Sequence, residues 1–97
     1  MPAPKSFQML GRAQWALPND DYPEKNDLSR VDVFREDGKF FIELSCNDVV
    51  RRKQIVVPQG RTDKWVDEDR LSLDYPICAD TDANVAYVAE RLGYRLL

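Results

Sequence analysis

VDVFREDGKFFIELSC, residues 31–46, is the stretch that decides the fold. Two β-rich runs flank Asp37-Gly38, and a bend made of only those two residues is a type I′ turn, in which both positions take positive φ. Such a turn leaves no freedom of register. Glu36 then opposes Lys39, Arg35 opposes Phe40, Phe34 opposes Phe41, Val33 opposes Ile42, Asp32 opposes Glu43, and Val31 opposes Leu44. Side chains alternate across a strand, so these pairs divide between two faces. One face holds Val31, Val33, Ile42 and Leu44 and is expected to line the core. The other holds Phe34 and Phe41 as a cross-strand aromatic pair.

Outward from the hairpin, Gln54–Val57 before Pro58 reads as a third strand, with charged Arg51–Lys53 as the turn leading into it. Arg70–Tyr75 reads as a fourth, because Leu71, Leu73 and Tyr75 alternate with Ser72 and Asp74. Thr81–Leu92 has helical spacing, with Val85, Val88, Ala89 and Leu92 on one stripe. Asp80 or Thr81 is its expected cap, Asp82 favours the positive end of its dipole, and Gly93 stops it. On the N-terminal side every odd position from Phe7 to Leu17 is apolar or Gly, which is strand periodicity in residue types that favour helix. The expectation for residues 1–17 is a strand with Phe7, Met9, Gly11, Ala13, Trp15 and Leu17 on one face. Residues 18–29, PNDDYPEKNDLS, read as a loop, and loops of this length in small domains are often functional. The expected fold is α+β: one domain over 1–97, with the sheet and helix in 30–97. A small, meander-like antiparallel sheet of four or five strands packs against one C-terminal helix.

Composition narrows the chemistry. The chain has 97 residues, enough for one modest core. Fourteen Lys and Arg oppose seventeen Asp and Glu, a formal charge of −3, which disfavours a general nucleic-acid binder. There is no His, so an imidazole-activated Ser or Cys nucleophile cannot be built within one chain. No stretch approaches the ~20 apolar residues of a membrane span, and MPAPKSFQML lacks a signal-type apolar region. The expected location is the cytoplasm, where Cys46 and Cys78 would be free thiols. No Gly-rich phosphate loop, GxSxG or HExxH is present, and no cofactor or metal is expected. Asp80-Thr81-Asp82-Ala83-Asn84 imitates the opening of a calcium loop, but Val85 stands where Gly is needed and Arg91 where Glu is needed. Helix capping accounts for it.

Three functional classes follow from the candidate residues. The favoured one is a non-enzymatic binding protein (a regulator, adaptor or inhibitor, of the kind bacteria and phages encode) that touches another protein. Its expected surface is Phe34 and Phe41, with the loop Asn19–Asp27 and the charged segment that includes Arg61, Lys64, Trp65, Asp67, Glu68 and Asp69. Homodimerisation through the same face is a variant. The second class is a nucleic-acid binder using Arg51, Arg52, Lys53, Arg61 and Lys64, with Trp65 as a stacking platform. The third is a small enzyme using Asp32 and Glu43 as paired carboxylates, or Cys46 as a nucleophile. Like charges facing each other across strands repel, so the Asp32–Glu43 pair requires a cation nearby. Arg30, Lys39 or an arginine of a neighbouring strand is the expected source.

Overall fold

The computed structural model describes residues 6–17, 27–46, 49–57, 77–78 and 81–97. Strand β1 is Phe7–Leu17, β2 Asp27–Glu36, β3 Lys39–Cys46 and β4 Val49–Val56. Helix α1, Asp82–Arg91, is followed by the short β5, Arg95–Leu96. The five strands form one antiparallel sheet in sequence order. The fold is therefore the small α+β meander expected, with α1 inserted between its last two strands.

The hairpin has the register its turn dictates. Asp37 has φ 52° and Gly38 φ 80°, and all six expected pairs from Glu36–Lys39 to Val31–Leu44 are formed. Asp37 also ties the turn to β1. Its N–H donates to the Ser6 carbonyl at 2.9 Å, and its carboxylate accepts from the Ser6 N–H at 3.1 Å. Val31, Val33, Ile42 and Leu44 are fully buried, in one core cluster with Val85, Val88 and Ala89 of the helix. Thr81 caps α1 by accepting from the Asn84 N–H at 3.1 Å, and Gly93 leaves the helix at φ 90°.

Strand β1 departs from uniform alternation. Met9 pairs with Phe34 and Gly11 with the very next residue, Val33, so Leu10 is an extra residue in a β-bulge. The bulge reverses the parity of the strand. Ala13 and Trp15 lie on the core side, whereas Phe7 and Met9 are carried to the opposite face beside Phe34. Leu10 itself is buried in the core. The single odd-numbered face expected from periodicity is thus split in two, because an inserted residue shifts everything beyond it by one side.

Two further boundaries differ. Strand β2 begins at Asp27, inside the stretch read as loop. Strand β4 begins at Val49, so Arg51–Lys53 are strand residues rather than a turn. Their charge hid the strand, but both faces there have partners for cations. The expected strand Arg70–Tyr75 lies outside the described residues.

Ile77 and Cys78 lead into the helix and are held from three sides. The Trp15 indole N–H donates to the Ile77 carbonyl at 2.7 Å, and the Asn84 side-chain amide donates to the Cys78 carbonyl at 2.8 Å. Cys78 is also disulfide-bonded to Cys46 at the end of β3, with Cα atoms 5.7 Å apart. This corrects the expectation of free thiols. The cysteines are far apart in sequence, but β3 and the helix approach share one core. Closing a loop of this span should stabilise the fold by about 3–4 kcal/mol in the chain-entropy account. Urea unfolding with and without reductant, and of Cys46→Ala/Cys78→Ala, should show a loss of that size. Alkylation of the native, unreduced protein should label neither sulfur; labelling of both would contradict the bond.

Candidate functional site

Helix α1 packs over β3, β4 and β5 on one side of the sheet. The other side, the outer face, has no element over it among the described residues. Register arranges its side chains in transverse rows. Met9, Phe34, Phe41 and Gln54 form one row across β1 to β4, and the Leu97 N–H extends it by donating to the Gln54 carbonyl at 3.0 Å. Arg12, Asp32, Glu43 and Arg52 form the next row.

The aromatic row is a stack. The Phe34 ring lies 5.3 Å from that of Phe7 and 5.7 Å from that of Phe41. Arg52 reaches over both partners of the hairpin pair, its guanidinium carbon 4.9 Å from the Phe34 centroid and 5.5 Å from that of Phe41. Such contacts contribute roughly 0.5–1 kcal/mol each at exposed sites. Enclosed this way, Phe34 is only 4% exposed, while Phe7 is 56% exposed. Phe34 is therefore the floor of the patch, and Phe7 and partly buried Phe41 are its accessible aromatic surface. The bulge at Leu10 is what brings Phe7 there. No alternation pattern could have found it without knowing of that extra residue.

The Asp32–Glu43 juxtaposition is present, and strand neighbours neutralise it. Asp32 accepts from Arg12 Nε at 2.7 Å through Oδ1 and meets Arg30 Nε at 3.4 Å through Oδ2. Glu43 accepts from Arg52 Nε at 3.1 Å, and Arg52 Nη1 also reaches Glu36 at 3.3 Å. Both carboxylates thus serve guanidinium groups rather than standing as an open dyad. No group of three or more His, Cys, Asp or Glu side chains among the described residues could hold a metal ion. Cys46, the other catalytic candidate, has its sulfur committed to Cys78.

The basic triplet on β4 does not form one surface. Arg52 points to the outer face, while Arg51 and Lys53 pair with Leu44 and Ile42 on the helix side. There they meet the Asp82 carboxylate at the start of α1, at 2.7 Å and 3.0 Å. Hydrogen bonds from Lys53 and then Arg51 hold the Asp82 carboxyl below its ordinary pKa. Of the other residues expected to bind a partner or nucleic acid, Arg61, Lys64, Trp65, Asp67, Glu68 and Asp69 lie outside the described residues, as does most of Asn19–Asp27. A hollow of about 330 Å³ lies beside β5; its described lining, Val56, Gly93, Tyr94 and Arg95, includes no carboxylate or thiol side chain.

Compared with protein-family models, curated proteins and solved structures, the chain matches none. The geometry of the outer face therefore carries the functional argument alone.

The Asp82 clasp has a pH signature. A carboxyl whose pKa is lowered by folding stabilises the native state above its unfolded value and loses that contribution as pH falls through the folded value. Its share should be fully present at neutral pH and decline below about pH 4. Asp82→Asn should flatten the acid limb of a stability-versus-pH curve measured by urea unfolding. An unchanged limb would show that the clasp is not formed in solution.

Proposed function

We propose that the protein is a non-enzymatic binding module that engages another protein through the outer face of its sheet. One observation carries this reading: an aromatic stack capped by an arginine lies on a sheet face that no described element covers. Buried aromatic and arginine anchors with a polar surround are the usual composition of protein–protein hot spots. The Phe7–Phe34–Phe41 stack with Arg52 has that composition, and the charged row from Arg12 to Arg52 would form its rim. The reading needs no bound cofactor.

Nucleic-acid binding through Arg51, Arg52, Lys53, Arg61, Lys64 and Trp65 is the less favoured reading. Of its described cations, Arg52 faces outward and Arg51 and Lys53 face the helix, each matched by acids, and the chain is acidic as a whole. The enzyme reading is weaker still, since its candidate groups are engaged with arginines or in a disulfide. No helix among the described residues is long and apolar enough to cross a membrane. The expected cytoplasmic placement stands in tension with the Cys46–Cys78 bond, since disulfides persist in oxidising compartments and are rare in the reducing cytoplasm.

The test is affinity capture from the native host with the full chain, run beside a Phe7→Ser/Phe41→Ser variant whose fold is checked by circular dichroism. A protein retained by the parent and lost by the folded variant is the expected result. No retained protein, or equal retention by both, would overturn the reading.

A further inference from the structure

The outer face presents its charges at two depths. Arg12, Arg30 and Arg52 keep 45%, 46% and 48% of their side-chain surface exposed, whereas Asp32 keeps 10% and Glu36 and Glu43 keep 24% each. The acids lie beneath and the guanidinium groups above. An approaching molecule meets cations first, although charges balance across the set. Beside them stand exposed Phe7 and partly buried Phe41.

The order of charges also bears on what can cover this face. Across the four strands the row Arg12, Asp32, Glu43, Arg52 reads plus, minus, minus, plus, the same in both directions. A second copy laid centrally over it, about a two-fold axis running along the strands, would set Arg over Arg and acid over acid. Like charges brought together at an interface are strongly unfavourable. A polyphosphate backbone fits poorly too, because continuous negative charge would cross the three acids as well as the three arginines. A protein segment with separated carboxylates and apolar side chains between them matches both features. Its carboxylates can pair with guanidinium groups, which suit bidentate recognition, and its apolar groups can rest on the phenylalanines.

We infer that the outer face is a docking surface for an acidic, apolar-containing segment of a partner protein, read by Arg30 and Arg52 together with Phe7 and Phe41. This rests on the proposed binding function and adds the chemistry of the partner. The probes are a short synthetic peptide in which Glu residues flank Leu, the same peptide with Lys in place of Glu, and an oligothymidylate of similar length. Each is titrated into the isotope-labelled, disulfide-bonded full chain and followed by NMR at low and high salt. The Glu peptide should shift the Nε–H signals of Arg30 and Arg52 and the ring signals of Phe7 and Phe41, and should weaken as salt rises. The Lys peptide should bind at least tenfold more weakly. Arg30→Gln/Arg52→Gln, with its fold confirmed by the same spectra, should weaken the Glu peptide at least tenfold.

Equal binding of the Lys peptide, tighter binding of oligothymidylate, shifts confined to the helix side, or no binding of the Glu peptide would each overturn the inference. Failure here is separable from failure of the binding function. A captured host protein that needs Phe7 and Phe41 would leave that function standing, with a partner of different chemistry.

Discussion

The two-residue bend at Asp37-Gly38 is the constraint on which the rest depends. Because both residues sit at positive φ, the strands leave the bend already in register, and side-chain parity follows from counting. A slip of one residue would move every side chain to the opposite face. The valine, isoleucine and leucine layer would face solvent, and the phenylalanines would meet the helix. Core and candidate surface are therefore two consequences of a single local conformation.

The outer face shows how a sheet accommodates charges that oppose one another. Asp32 and Glu43 are forced together by the hairpin and would repel if left alone. Strand β1 brings Arg12 to one side and β4 brings Arg52 to the other, so each carboxylate pairs with its own neighbour strand. Arg52 then serves a second role, since its planar group also covers the phenylalanine pair. Charge neutralisation and aromatic packing thus meet in one side chain. The same arrangement leaves the arginines outermost, which gives a nearly neutral face a directional character.

Local signals made much of this legible from the residues alone. Asp37-Gly38 identified its own turn, Thr81 and Gly93 bracketed the helix, and Val85, Val88 and Ala89 declared the stripe that is buried. The need for a neighbouring arginine near Asp32 could be argued from repulsion. What escaped was set by tertiary contacts. Leu10 is an ordinary leucine in an alternating run, and only its pairing with β2 makes it an inserted residue. Arg51 and Lys53 resemble a solvated turn until the helix supplies Asp82 above them. Cys46 and Cys78 carry no spacing motif, and their bond depends on Ile77–Cys78 being drawn to the end of β3. The exposed ring of Phe7 is a product of the bulge and was hidden for the same reason.

The most direct measurement is a set of NMR nuclear Overhauser contacts from the Phe34 ring in the native, uniformly labelled protein. The account predicts contacts to the rings of Phe7 and Phe41 and to the Arg52 side chain, with Ile42 and Leu44 of β3 instead contacting the helix valines Val85 and Val88. Contacts from Phe34 to the helix valines, or from Leu10 rather than Phe7 to Phe34, would contradict the assignment of the two faces.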